Sequence, residues 1–120
     1  MQDIEDLATL CKELVATSQL MFATDHPEVA YHLLEAAVHC AMDLSDASTL
    51  RQIEALATEQ HRRVSQRISP ALAWDTSQVV DTRRWVSFER IYAAAVRQAS
   101  TKAATLEMRN NSRSGRARGG

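Results

Sequence analysis

Glycine is missing from the first 114 positions; Gly115, Gly119 and Gly120 all fall in the last six. Proline occurs only as Pro27 and Pro70. A chain this poor in turn residues and rich in alanine argues against a fold of many short strands and points to helices. Cysteine is limited to Cys11 and Cys40, which lack the clustering of a metal site. Each falls on an apolar helix face, so two reduced thiols in a cytoplasmic setting are expected. No apolar run approaches the roughly 20 residues that cross a bilayer, and no membrane partner is expected. The start, MQDIEDLATL, is acidic and lacks the basic n-region and apolar core of a secretory signal. With the glycines so late, no Gly-rich loop can cradle a phosphate.

What is present reads as one domain of ordinary soluble composition, with 45% apolar and 24% charged residues. A first helix is expected over residues 3–23, where Ile4, Leu7, Cys11, Leu14, Val15 and Phe22 recur at steps of three and four and share a face with Leu10 and Met21. In TDHPE, Asp25 and Glu28 have capping-box spacing and Pro27 suits a first turn, so a second helix is expected from there to about Leu44. Ser45, Asp46 and Ser48 are candidate caps for a third helix, carried by Leu50, Ile53, Leu56, Ala57, Val64 and Ile68. So short a connection predicts that the second and third helices form an antiparallel hairpin. Pro70 ends the third helix. Residues 70–82 are expected to be irregular, with a short helical turn, a new cap at Asp75 or Ser77 and a bend before Trp85. The last helix presents Trp85, Phe88, Ile91, Tyr92, Ala95, Val96, Ala99, Ala103 and Leu106 within an arc of about 140°. From residue 109, RNNSRSGRARGG has no apolar period and reads as a disordered basic tail. No internal repeat is evident. The expectation is an all-α fold: a small antiparallel bundle of about four main helices over residues 1–108, with residues 109–120 as tail.

The run HPEVAYHLLEAAVHCAMD has the look of a site. Set on a helix, Glu28, His32, Glu35, His39 and Asp43 share about 80° of arc, and the rest of the circumference is largely apolar. That describes a central helix with one seam to water. Glu28–His32 and Glu35–His39 are four-residue pairs with the acid first, the favourable order. A metal site fits less well. His32 and His39 are about 10 Å apart along the axis, too far to share a tetrahedral ion, and neither Glu-x-x-His nor His-Glu-x-x-His is present. No metal, cofactor or catalytic residue is therefore assigned, and a metal-dependent helical enzyme is the weakest reading. His61 and Gln60 fall inside the apolar stripe of the third helix, where a histidine is expected to be a satisfied, semi-buried side chain.

The net charge of −1 hides an asymmetry. Residues 1–59 hold eleven acidic residues against two basic ones; residues 60–120 hold four against twelve. Either the two halves attract each other or the basic half meets an anion. Arg83, Arg90 and Arg97 repeat every seven residues opposite the Trp85 stripe, and Arg109, Arg113, Arg116 and Arg118 follow in the tail. Such rows meet nucleic-acid phosphates or simply water. Trp85, Phe88 and Tyr92 lie on the other side, so base stacking is not suggested. Trp74, in the irregular stretch after Pro70, is the large apolar side chain most available to a partner. The leading expectation is a non-catalytic, adaptor-like or regulatory helical module that binds another protein or a second copy of itself. Candidate partner-binding residues are Trp74, Arg83, Arg90 and Arg97; the rival is a small nucleic-acid-binding accessory protein.

Overall fold

The computed structural model describes the backbone of residues 2–68 and 76–119 and the side chains of residues 5–68 and 83–112. Four helices follow one another: α1 (Gln2–Ala23), α2 (Pro27–Asp43), α3 (Ala47–Arg67) and α4 (Thr76–Gly119). No strand occurs among the described residues. The fold is the small all-α bundle that the periodicity implies.

The broadest packing joins α1 to α2 and α3 to α4, while α2 also touches α3 and α4. Two helix hairpins therefore lie side by side. This corrects the pairing read from the short α2–α3 link: α3 meets α2, but its main partner is α4. A short link fixes where the next helix starts, whereas apolar area decides which neighbour it covers.

With glycine absent, the turns are made by other residues, and both are built alike. Asp25 and Ser45 adopt left-handed backbone, with φ of 69° and 52°. After α1, the Asp25 N–H donates to the Phe22 carbonyl at 3.1 Å and the His26 N–H to that of Met21 at 2.8 Å. After α2, Ser45 donates to Met42 at 3.0 Å and Asp46 to Ala41 at 2.9 Å. This is the double helix-end bond in which glycine usually supplies the left-handed residue. The geometry explains one correction. Asp25 is the left-handed residue that closes α1, so its carboxylate does not cap α2; His26 holds the cap position without a side-chain bond. Asp46 does cap α3, accepting from the Thr49 N–H at 3.0 Å and the Thr49 hydroxyl at 2.6 Å.

The core follows the expected stripes. Leu34, Leu50, Ile53, Val64, Tyr92 and Leu106 are fully buried, with Ala30, Ala37, Ala41, Ala57, Ala99 and Ala103 filling the close approaches. Leu10 departs from its stripe and is 44% exposed, because α1 is covered on the Cys11 and Ser18 side. α4 runs unbroken from Thr76, so the bend expected before Trp85 does not occur; no glycine or proline lies between Pro70 and Gly115 to break it. Leu106 is the last buried residue described, and residues 108–112 are exposed. Helical backbone continues to Gly119, through the stretch read from the sequence as a tail. Trp74 lies outside the described residues.

A buried polar chain crosses the core. Ser18 Oγ donates to the Ala30 carbonyl at 2.8 Å, and Gln60 Nε2 donates to Ser18 Oγ at 3.3 Å. The Tyr92 hydroxyl shares its one proton between Gln60 Oε1 at 2.6 Å and the Pro27 carbonyl at 3.0 Å. Phe22 and Tyr31 meet the Tyr92 ring edge-on, with centroids 6.1 and 5.9 Å away. Every helix contributes to this chain, and burial raises the Tyr92 pKa.

Two outcomes follow. Tyr92→Phe leaves Gln60 and Pro27 with a lost donor at a buried site and is expected to cost about 1–3 kcal/mol in denaturant unfolding. Ser45→Gly removes the left-handed penalty of a side chain and is expected to raise stability by about 0.5–1 kcal/mol in the same measurement.

Candidate functional site

The α2 stripe is a solvent seam. Glu28, His32, His39 and Asp43 are exposed and Glu35 is at its half-buried edge. One pairing differs from the sequence reading. His32 Nδ1 lies 3.0 Å from Glu35 Oε1, three residues on, rather than against Glu28. Glu35 also sits beside the Tyr31 hydroxyl, whose pKa is raised by burial and then by that carboxylate. Among the described residues no group of three or more His, Cys, Asp or Glu side chains is placed to hold a metal ion.

Several other titratable groups are paired with neighbours or partly buried. His61 Nε2 lies 2.8 Å from Glu89 Oε1 across α3 and α4, and both are partly buried. Arg51 grips Glu107 with two bonds, at 2.6 and 3.0 Å, and holds its carboxyl below the usual glutamate range. Glu59 accepts from Arg62 and Arg63, which hold it down to about 2. Burial pushes the Cys11 thiol up, and its Sγ lies 3.6 Å from the Ala37 carbonyl oxygen. Burial also raises Cys40, aided by Asp43. Neither thiol has the lowered pKa of a nucleophile.

The basic residues face outward. Arg83, Arg90, Arg97 and Arg109 are exposed on α4. The side chains of Arg113, Arg116 and Arg118 lie outside the described residues, as does Trp74. Trp85 is half-buried beneath the Arg67 guanidinium, 4.5 Å from the ring centroid, and stacks edge-on against Phe88. The aromatic rings of this helix are thus occupied in packing. Between the two hairpins one ion pair joins the described residues, Arg67 Nη1 to Asp25 Oδ1 at 2.7 Å. Residues 1–45 hold eight acids and one base, whereas residues 46–120 hold seven acids and thirteen bases. Among the described residues, most of the opposed charge is thus not paired across the hairpins.

The feature that sequence reading missed is a groove between α1 and α3. It opens as a cleft of about 360 Å³ between Ala8, Lys12, Val15 and Gln19 on one wall and Asp46, Thr49 and Gln52 on the other. A second cleft of about 220 Å³, between Phe22 and Leu56, adjoins it at Gln19. A third, of about 340 Å³ beside Gln66 and Arg67, adjoins the second at Phe22, Ala23 and Arg63. From Ala8 to Ala23 the run is about 22 Å of helix. Its origin is local: Ala8, Ala16 and Ala23 put short side chains along the α3-facing side of α1. Gln19, Gln52 and Gln66 project there, exposed. The spacing of those alanines was visible in the sequence, but an alanine edge reads equally as close packing until α3 is placed.

No described helix is long and apolar enough to cross a membrane. Comparison with family models, curated proteins and solved structures finds no match to this chain.

If the α2 stripe is a solvent seam, zinc addition should leave the thermal midpoint unchanged. His39→Ala, at an exposed position, should then change stability by less than about 0.5 kcal/mol. A zinc-dependent rise lost in that variant would indicate a metal site instead.

Proposed function

We propose that the protein is a non-catalytic helical interaction module that takes a segment of a partner protein in the α1–α3 groove. The observation that carries this reading is the groove's lining. Exposed carboxamides at Gln19, Gln52 and Gln66 each offer a donor and an acceptor, the same pair that an extended peptide unit presents. Alanine floors and the apolar Val15, Phe22 and Leu56 supply contact area between them. Lys12 and Arg63 stand toward opposite ends and give a bound segment polar anchors. The Thr49 hydroxyl on the groove wall does meet the Asp46 carboxylate, but that carboxylate is held as the cap of α3 by the Thr49 N–H, which supports binding rather than turnover. Two free thiols of raised pKa fit a reducing compartment such as the cytoplasm.

The test is capture of partners by the full chain, by Ala16→Arg and by Gln52→Trp, read by mass spectrometry of bound protein and nucleic acid. Ala16 and Gln52 are exposed, so both variants should keep the helical signal. A protein bound by the native chain, retained after nuclease and lost from both variants, is expected. Material that is nucleic acid, or that binds the groove variants equally, overturns the reading.

A further inference from the structure

Two ladders of opposite charge stand on touching helices of one chain. On α2, Glu28, Glu35 and Asp43 are seven and eight residues apart, about 10 and 12 Å of helical rise. On α4, Arg83, Arg90 and Arg97 are seven apart, about 10 Å per step. The two ladders thus match in pitch and nearly in length. Their side chains are exposed, Glu35 partly so. Among the described residues, Glu28, Asp43, Arg90 and Arg97 make no ion pair. Each ladder points away from the buried face of its own helix, so the two do not meet within a chain although α2 touches α4.

The surfaces around them suit a helix–helix contact. Between the arginines α4 carries Ser87, Ala94 and, one turn on, Thr101, all short and exposed. A second helix can therefore approach closely enough for guanidinium–carboxylate contact, the pairing that arginine makes in two-bonded form. Val29, beside the acidic ladder, is 46% exposed, and Met108, three turns beyond Arg97 on the same side of α4, is 72% exposed. Both offer apolar area that the isolated chain leaves in water.

We propose that the chain binds a second copy of itself, with the α2 ladder of one copy set against the α4 ladder of the other. Exposed ion pairs are individually weak and are screened within about 10 Å at 0.1 M salt, so the complex forms at high protein concentration and low ionic strength. The inference does not depend on the groove, whose walls are α1 and α3.

Sedimentation of the full chain over a concentration series, at about 50 mM and about 1 M salt, tests it. A mass that climbs with concentration at low salt and returns to that of one chain at high salt is expected. Two charge-reversed chains sharpen the test: Glu28→Lys with Glu35→Lys and Asp43→Lys, and Arg90→Glu with Arg97→Glu. Each alone should self-associate at least about tenfold more weakly, with its circular dichroism unchanged. Mixed, they should form a complex with each other, because each supplies the charge that the other now needs. Ala16→Arg should behave as the native chain does, which separates this surface from the groove. A chain that stays single at low salt, reversed chains that associate as before, or a mixture that fails to pair would overturn the proposal. So would a native chain that remains single while the α4 row binds a duplex DNA probe, which would assign the row to nucleic acid.

Discussion

The bundle is organised around one buried chain of hydrogen bonds. Ser18, Gln60 and Tyr92 come from α1, α3 and α4, and the carbonyls of Pro27 and Ala30 bring in α2. In a core of aliphatic side chains each polar group costs free energy unless it is paired. No buried side-chain nitrogen or oxygen among the described residues lacks a partner. Sliding any helix by one turn would break the chain and leave polar atoms stranded. Apolar contacts would tolerate several such offsets, since alanine and other aliphatic residues repeat along every helix. The polar chain therefore selects the register, while the surrounding aliphatic residues supply most of the stabilisation.

The same economy of residue types shapes the ends of the helices. A chain with no glycine before position 115 still has to reverse direction within three residues at each of these two turns, and it does so with Asp25 and Ser45 in left-handed backbone. Asp25 then has a free carboxylate, which turns to Arg67 and forms an ion pair between the two hairpins. Among the described residues no other ion pair joins them, and much of their charge stays exposed. An exposed field of this kind steers encounters and sets orientation more than it adds to fold stability. The two proposed binding surfaces differ in chemistry: shape and amide groups on the α1–α3 side, charge on the outer sides of α2 and α4.

Much of this was legible before any coordinates. The period of the apolar residues located four helices, since side chains three and four apart share a face whatever surrounds them. The polar arc of α2 identified its wet side, and the stripe from Trp85 to Leu106 identified the buried side of α4. Four of the errors share one cause. The capping role of Asp25, the partner of His32, the exposure of Leu10 and the α2–α3 pairing all depend on a competing neighbour. Asp25 could cap α2 or close α1; His32 could reach Glu28 or Glu35. Local spacing permits each alternative, with energies that differ by less than about 1 kcal/mol.

From its sequence alone this chain was bound to form helices, to hide its aliphatic stripes and to separate acid from base along its length, because these follow from local periodicity and composition. The tertiary structure alone decided that hairpins rather than single helices are the packing units. It also decided that Ser18, Gln60 and Tyr92 meet and that a groove remains between α1 and α3. Those outcomes join residues tens of positions apart, and no local pattern records which distant surface will satisfy a buried hydroxyl or leave an alanine edge uncovered.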